Sequence, residues 1–211
     1  FDGEARGWRS RDAAFFAQSA GILESTPQPF MALLITMQCH GPFTNHETDP
    51  AADPGPAQPR LLRDYLQCMS SFDAALEGFH HRLNASGLTE RSIMVFFGDH
   101  DSQVRTRPLT DKEKIPLFIA APGLEPGRSD RVGSHLYLGP TVLDLLGIDE
   151  PGGWLGTSLL APGPGRTLFN DLTEIGVVDG DVRSRRAPEL HRRHAGERGA
   201  GRTDAVRPAR P

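Results

Sequence analysis

The stretch Ser92-Ile-Met-Val-Phe-Phe-Gly-Asp-His-Asp101 constrains the fold of this chain more than any other. Ile93 to Phe97 form an unbroken run of β-branched, aromatic and other apolar side chains, the pattern of a strand buried on both faces, as a parallel sheet requires. The run stops at Gly98, and Asp99 and His100 come next with no spacer. A strand that ends this way sets a carboxylate and an imidazole at the carboxyl edge of an open α/β sheet, where such sheets bind ligands. Asp oxygen and His nitrogen are also ordinary ligands of divalent metals. The same residues equally suit a turn, with Gly98 supplying unusual backbone angles and Asp99 capping the residues after it.

A second apolar run, Phe30 to Met37, leads into Gln38-Cys39-His40-Gly41-Pro42-Phe43. A lone His after a strand is ordinarily a structural or surface residue. Two strands that each end in a polar cluster are different, because in one parallel sheet those clusters share an edge and can meet in a crevice. Residues 44–60 are too rich in Pro and Gly for regular structure and read as a surface loop, long enough for a lid, with His46 as a solvated loop residue. From about Leu61 to Leu83, the residues Leu62, Tyr65, Leu66, Met69, Phe72, Leu76, Phe79 and Leu83 line one helical face. That is the length of a crossover helix in a βαβ unit. His80 and His81 at its end point about 100° apart and read as surface, and Asn84-Ala-Ser-Gly87 closes it. An earlier helix is predicted over Asp12–Leu23, capped by Asp12. Later come a strand over Ile115–Ala121, a short helix over Thr141–Gly147 with Pro140 in its first turn, and a short strand over Leu168–Leu172. The pattern is α/β, a mostly parallel sheet flanked by helices.

Two opposite regions share the formal charge of -4. Residues 182–211 hold nine Arg against three acidic residues, a net +6, which leaves -10 for residues 1–181. An acidic body argues against nucleic acid as a partner. From about Arg183 the hydrophobic period disappears, so residues 173–211 are expected to form a poorly ordered Arg/Gly/Pro-rich tail behind a domain spanning 1–172. Two cysteines, Cys39 and Cys68, make neither a disulfide framework nor a zinc set. They read as small, partly buried residues, with one bridge open to them in an oxidising compartment. No apolar run approaches the ~20 residues that span a bilayer. The chain opens at Phe1 and is expected to be a piece of a longer polypeptide, with any such segment upstream.

The order of these features resembles a known family. Pro29-Phe30 leads an apolar run into His40-Gly-Pro-Phe43, a helix carries Tyr65 and Asp73, and Val-Phe-Phe-Gly98-Asp99-His100 comes after it. Lys114-Ile-Pro-Leu-Phe-Ile119, Ala121-Pro-Gly123, Val132-Gly-Ser134 and Gly139-Pro-Thr-Val-Leu-Asp-Leu-Leu-Gly-Ile148 then continue it. Over roughly residues 1–172 this resembles the sulfatase-like domain of lipoteichoic acid synthases and phosphoglycerol transferases, in the alkaline phosphatase/sulfatase superfamily. The resemblance implies a C-terminal part of such a domain, incomplete at the N-terminus.

By that resemblance Asp99 and His100 match a metal-binding pair, and His40 matches a histidine that faces the substrate phosphate. The implied cofactor is a divalent metal, manganese first, with magnesium, calcium or zinc as alternatives. The implied nucleophile, a threonine, and an upstream acidic ligand fall before Phe1, and no residue of 1–39 replaces them. The implied activity is transfer of phosphoglycerol from a phosphatidylglycerol-type donor to a membrane or cell-envelope acceptor, at the extracytoplasmic face of a bacterial cell membrane. Membrane association would come through transmembrane segments upstream, and the substrate would be an anionic phospholipid or ester. A sulfuric or phosphoric ester hydrolase on the same fold is the second reading, and an inactive fragment or binding module the third. Tyr137 stands where the family usually has Asp, which points to altered packing there, and Trp8 matches a family aromatic only loosely.

Overall fold

The structure is a computed structural model and describes residues 11–102, 104, 115–170, 175–180 and 182–186. Trp8, and the Arg-rich residues from 187 on, lie outside the described residues. The chain divides into two units, Phe1–Leu124 and Glu125–Pro211.

The first unit is built on two helices, α1 (Asp12–Ser25) and α2 (Arg60–Ala85). The helical period of α2 is legible in the sequence to within two residues at each end. Its stop has a specific cause. Gly87 takes φ +70°, its N–H donates to Asn84 O, and Leu88 N–H reaches back to Leu83 O. This is a Schellman closure, and Leu83 and Leu88 complete it by packing in one cluster. At α1 the expectation about Asp12 is corrected. Arg11 is the N-cap, and Asp12 is the first helical residue, fully buried. Its N–H donates to Gln38 Oε1 at 2.7 Å, and its Oδ1 accepts from Gln38 N–H at 3.4 Å. A residue with the chemistry of a cap is used instead to tie α1 to the chain after Met37.

The core of this unit lies in two clusters along α2. The C-terminal half of α2 supplies Phe72, Ala75, Leu76, Phe79 and Leu83 to a cluster with Phe16 and Ala20 of α1. The rings of Phe16 and Phe79 stack there with centroids 4.8 Å apart. The N-terminal half supplies Leu62, Tyr65, Leu66 and Cys68 to a second cluster with Cys39, Phe43 and Val104.

Strand β1 (Met94–Phe97) pairs with β2 (Leu117–Ala120) in antiparallel register, Met94 opposite Ala120 and Phe97 opposite Leu117. The run read as buried on both faces is only half-buried, which corrects that detail. Every ladder among the described residues is antiparallel, and no residue of β1 is fully buried. An apolar run signals burial but carries no information on the direction of its partner. The predicted strand at residues 30–37 runs extended with no ladder partner among the described residues. Its period of two survives. Met31, Leu33 and Ile35 are exposed, at 93%, 67% and 63%, while Phe30 and Leu34 pack on the first cluster.

In the second unit, α3 (Leu138–Leu145) closes as α2 does, with Gly147 at φ +65° and Ile148 N–H bonded to Leu143 O. Tyr137 is buried. Its carbonyl accepts from the Thr141 hydroxyl, which in turn accepts from Leu159 N–H. Strands β3 (Arg166–Asn170), β4 (Ile175–Asp179) and β5 (Val182–Arg186) form an antiparallel meander. Regular structure thus reaches Arg186, inside the stretch expected as a tail from 173. Ladder hydrogen bonds and the Arg166–Asp179 ion pair join β3 and β4.

Candidate functional site

Each predicted site residue sits just past the carboxyl end of an apolar run. The two clusters along α2 give those runs a direction. Phe30 and Leu34, early in the first run, and Met94, at the start of β1, pack on the C-terminal cluster. Cys39 and Phe43, after the first run, and Val104, after β1, pack on the N-terminal cluster. Both runs therefore travel from one cluster to the other, and α2 returns in the opposite sense, as a crossover helix does. The consequence is that His40, between Cys39 and Phe43, and Asp99–His100, between β1 and Val104, emerge at the same end of the unit. No ladder joins the two runs among the described residues, so the common end comes from packing on α2 and not from one sheet edge.

At Asp99–His100 the side chains are open, 82% and 59% exposed, with Asp99 Oδ2 3.8 Å from His100 Nε2. His100 Nδ1 lies 2.6 Å from the carbonyl of Asp101. A carbonyl only accepts, so Nδ1 carries a proton there, and Nε2 is the ring nitrogen on the side of the Asp99 carboxylate. A backbone acceptor on the far ring nitrogen is the usual support of a metal-bound imidazole. The donor chemistry of the pair thus fits a divalent cation. The set is partial, since no group of three His, Cys, Asp or Glu residues able to hold a metal occurs among the described residues.

His40 occupies the first position of a turn. Its carbonyl accepts from Phe43 N–H at 3.0 Å, and its Nδ1 lies 2.9 Å from Gly41 O. Phe43 adopts φ +64°, a left-handed conformation that costs energy for a bulky residue. Burial of its ring, edge-on to Tyr65 with centroids 5.2 Å apart, holds it there. On the other side of His40, Gln38 is bonded to Asp12, and Cys39 is joined to Cys68 of α2 by a disulfide with Cα atoms 5.5 Å apart. The sequence leaves that bridge open. The structure forms it, with Cys68 fully buried.

The loop over residues 44–59 is pinned to α2 and not free above it. Asp49 accepts from the Ser70 hydroxyl at 2.5 Å and from Ala51 N–H, which hold its carboxyl below the usual range. Gln67 exchanges two hydrogen bonds with the Asp49 backbone, and Arg63 grips both oxygens of Asp53. His46, expected in solvent, is largely covered and faces Asp64 at 3.8 Å. Sequence reasoning missed it because its partner lies on a helix face that only the loop path brings near.

The sequence model of the family described as Sulfatase matches residues 2–148. The chain belongs to the sulfatase family. It is 32% identical over 155 residues to lipoteichoic acid synthase 1 of Bacillus subtilis, an overlap covering 66% of this chain and 24% of that protein. With the lipoteichoic acid synthase of Staphylococcus aureus it shares 27% identity over 169 residues, 72% of this chain and 26% of that one. Among solved structures, a protein of the alkaline phosphatase superfamily from Vibrio parahaemolyticus superposes with a TM-score of 0.70 at 21% identity, over 90% of this chain and 47% of the other. The lipoteichoic acid synthase LtaP of Listeria monocytogenes does so at 0.65 and 23%, over 89% and 54%. The α/β fold of the alkaline phosphatase superfamily is thereby established for this sulfatase-family chain. The chain spans about a quarter of the length of the curated relatives it matches.

Proposed function

We propose that this chain supplies the His40 and Asp99–His100 side of the active site of a metal-dependent phosphoglycerol transferase. The observation that carries the reading is the common end at which both runs deliver these three residues. The identity to lipoteichoic acid synthases supports transfer over hydrolysis. Asp99 and His100 would hold the cation, manganese first, with Asp101 O fixing the imidazole tautomer. When bound, the cation supplies Lewis-acid polarisation of a phosphoryl oxygen. His40, exposed at the same end of the unit, would donate to a phosphate oxygen of an anionic phospholipid donor or protonate the leaving group. A threonine nucleophile and the remaining metal ligand are proposed to belong to the length of the relatives that this chain does not match.

The working place proposed is the extracytoplasmic face of the cell membrane. The Cys39–Cys68 disulfide supports it, because such bonds persist in oxidising compartments. No helix among the described residues is long and apolar enough to cross a membrane.

The deciding experiment uses the complete protein in membranes, supplied with phosphatidylglycerol or an aryl sulfate. The expected result is turnover of the lipid, with His40→Ala lowering kcat by about 10²–10⁴-fold and Asp99→Ala abolishing it together with manganese dependence. Sulfate release without lipid turnover would establish the hydrolase reading instead. For the 211-residue chain alone, calorimetry with manganese should show weak or undetectable binding, since a pair of ligands competes poorly with water. Tight binding abolished by Asp99→Ala would mean that the chain holds a full ligand set.

A further inference from the structure

We infer that the Cys39–Cys68 disulfide is a positioning element for His40, so that the oxidation state of this bridge sets the geometry of the proposed phosphate-facing imidazole. The functional half rests on the transferase reading; the structural half does not.

The usual support of a strand end does not hold His40. Residues 30–37 lead into it with no ladder partner among the described residues, and alternate side chains of this run are exposed. Among the described residues no ladder bond fixes this strand end; the backbone bonds of His40 are local, its N–H to Met37 O at 3.3 Å and Phe43 N–H to its own carbonyl at 3.0 Å. Residues 44–59 leave it as a loop. The position of His40 is instead set by its immediate neighbours. Gln38 is tied to α1 through Asp12, Cys39 is tied to α2 through Cys68, and Phe43 is wedged beside Tyr65. Of these, the bridge is the covalent one, and it attaches to the residue directly before His40.

Its far end is suited to the purpose. Cys68 is fully buried in the N-terminal half of α2, in the same cluster as Leu62, Phe43 and Val104. Val104 lies shortly after His100, so one cluster carries the anchor of His40 and the exit of the metal-binding pair. The Cα separation of 5.5 Å lies within the span that disulfides bridge. On reduction, each sulfur takes up a hydrogen from a dithiol that is itself oxidised. The two thiols then remain in contact distance but no longer constrain the backbone. Gly41, next to His40, adds none of the steric restriction a side chain would bring, so the turn from His40 to Phe43 can follow a displacement of Cys39 and carry the imidazole with it.

The test compares the oxidised 211-residue chain with the same chain in dithiothreitol and with Cys39→Ala/Cys68→Ala, by imidazole NMR and amide hydrogen exchange. His80 and His81, exposed near the end of α2, are the internal reference. The expected result is that the His40 resonances move towards free-histidine values and amides 39–43 exchange about tenfold faster. His80, His81 and the amides of Ala20 and Leu83 should stay as they were. Unchanged His40 signals would overturn the inference. So would a joint change at His40, His80 and His81, which would make the bridge a general staple. In the complete enzyme, the double Ala variant should lower kcat more than it alters KM. If His40→Ala leaves turnover intact, the transferase reading fails, whereas the NMR comparison still decides what the bridge positions.

Discussion

The two halves of α2 hold the chain together by different means, and the difference separates stability from function. Around its C-terminal half the contacts are apolar and interchangeable in kind: Phe16, Phe79, Leu83 and Leu88 exclude water, with the Arg82–Glu24 ion pair at the rim. Around its N-terminal half the contacts are specific. A disulfide, the Asp49–Ser70 and Gln67 hydrogen bonds, and the Arg63–Asp53 ion pair each fix one loop residue to one helix residue. The predicted site residues lie at this second end. An apolar cluster tolerates small displacements, while directional bonds hold a side chain to a fraction of an ångström, which is what a reacting group needs.

The largest effect that would break this contrast is expected at the apolar end. Phe79→Ala empties a buried aromatic site and should cost about 3–5 kcal/mol, with helix and loop probes losing structure together in urea denaturation. If the loop over residues 38–43 survived the loss of α1–α2 packing, the first cluster would not be the foundation of the second. Next comes the bridge. It closes a loop with a sequence separation of 29 residues, and its removal should cost about 3–4 kcal/mol by chain entropy. Unlike Phe79→Ala, that loss should appear first in the exchange of loop amides.

The smallest effect sharpens the comparison at Asp12, which joins the two ends. Burial raises its carboxyl above the ordinary value, partly offset by the backbone hydrogen bonds of Gln38 and Met37. The folded chain therefore holds this proton more tightly than the unfolded chain does. The penalty for the charged form applies above the raised value and is relieved as pH falls through it towards the unfolded one. Asp12→Asn does not titrate, so the stability gap between the two proteins should shift in favour of the unmodified chain as pH falls from about 7 towards about 4. Thermal melts of both at several pH values measure it. The carboxyls of Glu24, Asp49 and Asp53, held low by Arg82, Ser70 and Arg63, shift the other way, but they are common to both proteins and cancel.

Local chemistry made much of this protein legible before any coordinates. The apolar face of α2, its stop at Gly87, the strand over 94–97 and the short helix before Gly147 come from period and from glycine, both of which act within a few residues. The ordered blocks from His40 to Ile148 placed the chain in its family, and three candidate site residues were read from where apolar runs stop. Tertiary structure decided what local pattern cannot carry. The partner and direction of β1 depend on which distant segment arrives beside it, here Leu117–Ala120 in antiparallel register. Asp12 reads as a cap and becomes a buried tether, because Gln38 competes for its groups. Arg-rich residues 182–186 read as tail and become a strand, because β4 offers them a ladder. Gly98-Asp99-His100 was set by sequence as a polar cluster at a strand end. That it emerges at the same end of the first unit as His40 was set by packing, since the two clusters along α2 send both runs the same way.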